Sequence, residues 1–206
     1  MIDPPLSPLA PLSQLAPREQ VRPASLVRST IIVSGLQAFR TRSLIEAYQE
    51  HLPEYARAPL LGLVAGQWIP VGLAVDHYRA ADRLGLDAPT IESIGADVAE
   101  RIHKSPLSVM VKMSKELYVT PWTALASSQR LKDINWKGSE VHVVKLGPKD
   151  ARFDWIGQPC AEVPYFVTSF GGFLRSLVSL FCTKAYVCAM PDQASPTSMS
   201  YALSWV

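Results

Sequence analysis

Hydrophobic positions between residues 70 and 131 recur at the spacing of amphipathic helices. Pro70 suits a first helical turn and Gly85 suits a C-terminal cap, so together they bracket one helix over 70–84. Three further helix starts are marked by a polar N-cap residue or by an N-cap residue followed by proline. They are Asp87, Ser105-Pro106 and Thr120-Pro121. The pattern therefore predicts a helical half made of four consecutive capped helices.

The stretch before these helices is more ambiguous. Residues 30–33 are mostly β-branched, which is typical of a short strand or of the lead-in to a helix. Residues 36–48 have helical spacing, and the segment ends before Pro53 because proline disfavours a helical residue in front of it.

After Gly138 the hydrophobic spacing changes to the period of two that marks β-strands. Residues 141–146 and 153–155 alternate in this way on either side of the turn residues 147–150. We predict that these two strands form an antiparallel hairpin, so the chain passes from helices to a sheet at this point.

The C-terminal part adds one helix and two strands. Gly171-Gly172 precedes a hydrophobic helix over 173–181, and a strand over 186–190 follows it. The last strand has one apolar face, formed by Met199, Tyr201, Leu203 and Trp205. Segregated helices and an antiparallel sheet predict an α+β fold, in which an N-terminal helical half packs on a C-terminal sheet with a glycine-led helix.

The composition sets the number of domains. The chain has 206 residues, of which 48% are hydrophobic and 18% charged, which suits one well-buried domain. Residues 1–25 hold six of the 17 prolines and predict a Pro-rich disordered tail, with a single α+β domain over 26–206. The tail is either solvated or a docking segment for a protein partner.

The charge is nearly balanced, with a formal net charge of +2, so it does not indicate a nucleic-acid-binding protein. Residues 101–137 carry seven basic and two acidic residues, a local net charge of +5. A solvated helix face explains this band, and an acidic partner or a nucleic acid is the alternative. We expect that nucleic acid is not a partner.

The sequence favours a protein without a membrane span in a reducing compartment. The uncharged stretch over 58–75 is interrupted by two prolines and three glycines, so we expect no membrane span. The three cysteines form no C-x-x-C pair, which favours a reducing compartment. The sequence therefore predicts a cytoplasmic protein.

Several short motifs carry a family resemblance between about residue 66 and residue 205. The C-terminal residues resemble the end of the superfamily that joins 4-vinyl-reductase-like domains, heme-nitric-oxide-binding-like domains and the transport-particle (TRAPP) fold. They are Pro164-Tyr165-Phe166, Gly171-Gly172-Phe173-Leu174 and Ser204-Trp205. Other motifs resemble a large paralogous family of myxobacterial proteins. They include Trp68-Ile69-Pro70-Val71, His77-Tyr78, Thr120-Pro121-Trp122 and Leu146-Gly147-Pro148-Lys149.

The resemblance implies a TRAPP-like fold and a sensory, ligand-binding or protein-interaction module more often than a catalyst. Heme-nitric-oxide sensors carry a Tyr-x-Ser-x-Arg motif before the glycine-led helix, and an axial histidine upstream. Here Tyr165 and Ser169 lack that spacing, Arg175 comes too late, and His103 is only a loose analogue. We therefore expect no resident heme or other cofactor.

Candidate chemistry is sparse. The chain has no nucleophile elbow, zinc-protease motif or phosphate-binding loop, so we expect that it is not an enzyme. Core packing is the favoured role of Cys160, Cys182 and Cys188, with a metal or redox site involving His142 as the alternative. His77 faces solvent or a groove, and His103 complements the dipole at a helix end.

Gly171-Gly172 has two interpretations. The glycines allow the helix to approach the sheet closely, or, with Arg175, they form an anion site at the start of the helix.

The many aromatic residues are mostly core, and those between the helices and the sheet would line an apolar pocket. The pocket candidates are Trp68, His77, Tyr78, Tyr165, Phe170, Phe173 and Arg175.

Three functions remain open from the sequence. The first is a non-catalytic sensory module that holds an apolar small molecule and signals through protein contacts. The second is a structural interaction module that forms a homodimer or binds another protein without a small-molecule ligand. The third is a heme-binding sensor. The resemblance favours the first.

Overall fold

The computed structural model describes residues 20–103 and 120–206, and for His103 it describes the backbone alone. Residues 1–19 lie outside this part, so for them the predicted Pro-rich tail stays a prediction. The helix expected from Ser105 also lies outside the described residues, as do three of the seven cations of the 101–137 band.

Eight α-helices are described in these two ranges. They are α1 (Ser29–Thr41), α2 (Ile45–Glu50), α3 (Glu54–Leu61), α4 (Val71–Asp82), α5 (Ala88–His103), α6 (Pro121–Ala126), α7 (Ser128–Asn135) and α8 (Pro164–Ser179). Residues 30–33 belong to α1, so the helix lead-in is the correct interpretation of that stretch. The expected helix over 36–48 is divided between α1 and α2, because Ser43 adopts a positive φ of 55° between them.

The helices predicted at α4 and α5 are confirmed, although Pro70 lies just before α4 and not in its first turn. Pro70 is extended and precedes the first residue of α4, while Gly85 adopts the left-handed φ of 61° that a helix end requires. Asp87 Oδ1 accepts a hydrogen bond from the Thr90 backbone N–H at 2.9 Å and thereby caps α5. The Thr120-Pro121 start is confirmed as well, since α6 begins at Pro121.

The four-stranded sheet matches the prediction of two hairpins. Its strands are β4 (Glu140–Gly147), β5 (Asp150–Ile156), β6 (Ala185–Ala189) and β7 (Ser198–Trp205), arranged antiparallel in the order β4-β5-β7-β6. Phe153 lies opposite Tyr201, and Trp155 lies opposite Met199. All four side chains are buried, and the Tyr201 hydroxyl donates to the Val167 carbonyl of α8 at 2.7 Å. This face of the sheet therefore packs on α8.

A second, three-stranded sheet was not predicted. It consists of β1 (Leu26–Arg28), β2 (Trp68–Pro70) and β3 (Trp136–Lys137), and β1 lies in the middle. Strands of two or three residues are too short for an alternating pattern to appear in the sequence. The sheet joins the N-terminal strand to the segments that enter α4 and leave α7.

The predicted glycine-led helix is wrong in its start. α8 begins at Pro164, so Gly171 and Gly172 lie inside the helix, and an anion site at a glycine-bearing N-terminus does not exist there. The glycines do allow a close approach, but the partner of Gly172 is α5 instead of the sheet. A Cβ at position 172 would lie 2.1 Å from the Glu92 carbonyl oxygen, and one at Gly95 would lie 1.8 Å from the Ser169 carbonyl oxygen.

The ordered domain begins before residue 26. Val21 and Ala24 are buried, although the sequence assigns both to the tail. The Ala24 N–H donates to the Gly157 carbonyl, and the Ser139 N–H donates to the Arg22 carbonyl, both at 2.7 Å. The described helices include none that is long and apolar enough to cross a bilayer.

Candidate functional site

A cavity of about 120 Å³ lies in the middle of the domain. The helices α1, α4, α5, α7 and α8 and the strands β3, β4 and β5 all contribute side chains to its wall. Helix α8 contacts both α5 and the sheet, so the helical half and the strands both contribute to the wall of the cavity. Both sides of the fold are therefore needed to form it.

Aromatic rings make up most of the wall next to the sheet. Phe170 stacks between Phe166 and Phe173, with ring centroids 6.0 and 5.6 Å away. The Trp155 ring of β5 lies 4.8 Å from Phe170, and the Trp136 ring of β3 lies 5.4 Å from Trp155. Such offset and edge-to-face contacts hold the rings in fixed orientations. The wall is therefore apolar and well ordered.

The opposite wall carries a buried histidine. His77 of α4 is 2% exposed, and its Nδ1 lies 2.7 Å from the Tyr48 hydroxyl of α2. Burial away from water lowers the pKa of His77 to about 3, so the imidazole is neutral at physiological pH. Burial also raises the pKa of the Tyr48 phenol. The pair is thus an uncharged hydrogen bond in an apolar setting.

The remaining polar groups of the wall come mainly from α7. Lys132 is buried, and its Nζ donates to the carbonyls of Gly138 and Ser139 at 2.9 and 2.7 Å. It also forms an ion pair with Asp133 at 2.6 Å. Asn135 Nδ2 donates to the Leu131 carbonyl, whereas the buried Ser128 Oγ has no hydrogen-bond partner in the described structure. Most of this polar capacity is used to attach α7 to the start of the sheet.

The structure brings five of the seven sequence candidates to the cavity. They are His77, Tyr78, Tyr165, Phe170 and Phe173. Of the two expectations for His77, the one that it faces solvent is wrong, because α4 turns this residue toward Phe39 and Tyr48 and into the wall of the cavity.

Trp68 and Arg175 do not line the cavity. Trp68 lies on β2, where its ring stacks beneath the cations of Arg28 and Lys137 at 4.2 and 4.8 Å. Arg175 forms an ion pair with Glu92 of α5 at 2.5 Å. That pair lies in an outer groove between α5, α8 and β6. Arg175 therefore connects two helices and is not a ligand contact in the cavity.

Sequence reasoning missed the small and aliphatic residues of the wall. Gly35 of α1 and Gly95, Ile94 and Val98 of α5 contribute to it, as do Trp136 and Phe166. A glycine on each of two helices is weak evidence for a cavity wall, because glycine has many structural roles. The hydrophobic stripe of α5 is visible in the sequence, but which side of α8 it meets depends on the tertiary structure.

The cysteine and His142 predictions are settled in part. Cys160 is buried as expected for a core residue, but Cys188 is exposed, so core packing is wrong for it. His142 Nε2 lies 3.0 Å from Glu140 Oε2. No group of three metal-ligating side chains is found in the described residues.

Comparison with known proteins identifies solved structures with a similar fold. No protein-family model matches the chain, and no curated protein sequence matches it either. Solved structures do match. The chain is similar to the Fe(II) unliganded H-NOX protein from K. algicida, with a TM-score of 0.62 and 10% identity. That match covers 87% of this chain and 96% of the K. algicida chain.

A second match is an oxygen-binding H-NOX domain related to soluble guanylate cyclases, with a TM-score of 0.57 and 8% identity. It covers 86% of this chain and 94% of the other. The chain has the H-NOX fold. This confirms the heme-nitric-oxide-binding-like part of the resemblance at the level of fold, while the myxobacterial and transport-particle parts stay predictions.

A heme does not fit the described residues around the cavity. The volume of 120 Å³ is far below the roughly 300–1,000 Å³ of pockets that enclose larger ligands. His77 is the one histidine among the described lining residues; Tyr48 binds its Nδ1, and its Nε2 faces the α1 backbone at Gly35 in a cavity too small for a porphyrin. Lys132 is the one lining cation of this part of the chain, and its ammonium is already bonded. These residues therefore provide neither an axial ligand with room for iron nor a partner for a heme propionate.

Proposed function

We propose that this H-NOX-fold domain is a non-catalytic sensory module that binds a small apolar molecule in the cavity between its helices and its sheet. The observation that carries the proposal is a cavity walled by stacked aromatic rings and by an uncharged imidazole. Apolar surroundings of this kind favour an apolar ligand, because a charged one would lose its hydration without gaining a partner.

The size of the cavity limits the ligand. A cavity of about 150 Å³ lined by aliphatic and aromatic side chains stays dry and binds benzene or xenon in a well-studied lysozyme variant. The present cavity, at about 120 Å³, therefore suits a molecule of about six to eight non-hydrogen atoms.

The response would pass to a protein partner or to a second copy of the chain. The cavity contacts both α5 and β4, so a ligand that fills it changes the packing between the helical half and the sheet. The absence of paired cysteine spacing in the sequence supports a cytoplasmic location. Light scattering of the concentrated protein tests the homodimer, which a purely monomeric sample would rule out.

Thermal unfolding with benzene and toluene tests the proposed ligand class. Ligand at ten times its Kd is expected to stabilise the native state by about 1.4 kcal/mol, since it binds only the folded cavity. Val98→Phe, which fills the cavity from α5, should remove this stabilisation. Val64→Phe adds the same side chain at an exposed site and should keep it. Absence of any stabilisation of the unsubstituted protein would overturn the proposal.

A heme-binding sensor is the second candidate, and the structural comparisons favour it over the apolar ligand. The matched structures include a member of the H-NOX family in which the function of heme distortion was probed, with a TM-score of 0.59 and 8% identity. Titration with hemin discriminates between the candidates. The apolar-ligand proposal expects no shift of the Soret band from that of free hemin. A shifted band that His77→Leu or His103→Leu abolishes would establish heme and overturn the first candidate.

A further inference from the structure

We propose that His77 Nε2 binds a hydrogen-bonding group on the ligand, so that the cavity selects a neutral aromatic molecule bearing one such group over a plain hydrocarbon. This inference rests on the proposed function, because it assigns the chemistry of the ligand in the same cavity. It adds a specificity-determining residue that the apolar wall alone does not imply.

The imidazole is held in one orientation by its neighbours. Tyr48 binds Nδ1 at 2.7 Å, and the Tyr78 ring meets His77 edge to face with centroids 4.9 Å apart. Phe39 packs on the same ring at 5.8 Å. A side chain fixed by one hydrogen bond and two ring contacts presents its remaining nitrogen in a defined direction, as a binding group requires.

That remaining nitrogen, Nε2, has no hydrogen-bond partner among the described residues, although His77 lines the cavity. A ligand with a hydrogen-bonding group would give this nitrogen the partner that the described side chains do not supply. The backbone next to it is Gly35, where a Cβ would lie 3.3 Å from Nε2. Glycine at this position leaves the nitrogen uncovered, and any larger residue would press on it.

The charge of the site restricts the ligand further. The neutral imidazole gives no compensation to a carboxylate or an ammonium group, and the Lys132 ammonium is already bound by two carbonyls. The ligand is therefore uncharged. If Tyr48 donates to Nδ1, Nε2 carries the proton and binds an acceptor such as a pyridine nitrogen. In the other tautomer Nε2 accepts, and it binds a donor such as a phenol hydroxyl.

Binding of benzene, phenol and pyridine, followed by NMR titration of the backbone amides, tests this inference. The measured quantity is the Kd of benzene divided by the Kd of phenol or pyridine, whichever of the two binds more tightly. The probes differ in hydration, but this difference is the same for every protein variant and cancels when the ratios of two variants are compared. We expect this ratio to fall about tenfold in the double variant Tyr48→Phe/His77→Leu. The double variant removes both hydrogen-bonding partners, so neither is left unpaired and the fold is kept.

Gly35→Ala provides an independent variant that keeps the histidine. Alanine is more favourable than glycine inside α1, and its Cβ covers Nε2, so the same fall in the ratio is expected. A ratio that stays within twofold in both variants would overturn the role of His77 while benzene binding leaves the cavity proposal intact. Failure of the unsubstituted protein to bind any of the three probes would overturn both.

Discussion

The burial of His77 makes the stability of the fold depend on pH. A histidine held neutral at 2% exposure must be protonated in the unfolded chain at acidic pH, because its unfolded pKa is near 6.5. The unfolded state then binds one more proton than the native state, and the free energy of unfolding falls as pH falls. The contribution is complete above pH 6.5 and is lost between 6.5 and the folded pKa of about 3.

Urea unfolding between pH 7 and pH 4 checks this dependence. The expected slope from His77 alone approaches about 1.4 kcal/mol per pH unit below its unfolded pKa. The Tyr48→Phe/His77→Leu variant should lose this component and retain the slope from other groups. Equal slopes in the two proteins would show that His77 is not buried as a neutral base.

A second residue-scale prediction concerns two ion pairs of different burial. Asp154 is 3% exposed and accepts a hydrogen bond from Arg152 Nε at 3.0 Å, whereas Arg79 and Glu162 pair at the surface. Asp154→Ala leaves a partly buried guanidinium without its anion and should destabilise the fold by about 3 kcal/mol. Glu162→Ala should cost less than about 1 kcal/mol, because water screens that pair. Chemical denaturation measures both, and similar losses would contradict the assigned burial.

At the scale of elements, the crossing of α5 and α8 decides the shape of the cavity. Gly95 lies against the Ser169 carbonyl, and Gly172 lies against the Glu92 carbonyl, so the two helix backbones are in contact at two points. Helices approach this closely only where side chains are absent. The sequence contains the glycine pair of α8 and indicates that this helix can approach another element closely. It does not indicate that the element is α5.

The two adjacent glycines of α8 allow a matched test of this crossing. Gly172→Ala places a Cβ 2.1 Å from the Glu92 carbonyl oxygen, so the helices must separate and the melting temperature should fall by several degrees. Gly171→Ala meets its nearest neighbour, Tyr201 Cε1, at an ordinary 3.5 Å. It should stabilise the protein by about 0.5–1 kcal/mol, because alanine is the better helix former. Equal effects at both positions would exclude a close crossing.

At the scale of the whole molecule, the N-terminal residues 20–25 belong to the folded domain. Val21 and Ala24 are buried, and the Ala24 N–H and the Arg22 carbonyl are bonded to distant loops. Removal of residues 1–25 should therefore cost about 2 kcal/mol from the lost valine burial and backbone hydrogen bonds. Removal of residues 1–19 is expected to leave the melting temperature unchanged, as the Pro-rich tail predicts. Calorimetry of both truncations checks the boundary.

The sequence by itself determined α4, α5, the strands of the four-stranded sheet and the fold class. Caps at Pro70, Gly85 and Asp87 and the alternation of β7 are local signals, because they depend on dihedral angles and on which face of one element is apolar. These signals placed α4, α5 and the four-stranded sheet correctly. They failed for the start of α8, where an aromatic first turn carries no distinct N-cap.

The tertiary structure alone decided the site. His77 became a buried base because Phe39 and Tyr48, far from it in sequence, close around the same point. Contacts with side chains of other elements hold Trp68 and Arg175 away from the cavity. A cavity is the space left between packed elements, and its position depends on how the helices cross. That crossing is fixed by long-range contacts that hydrophobic periodicity does not contain.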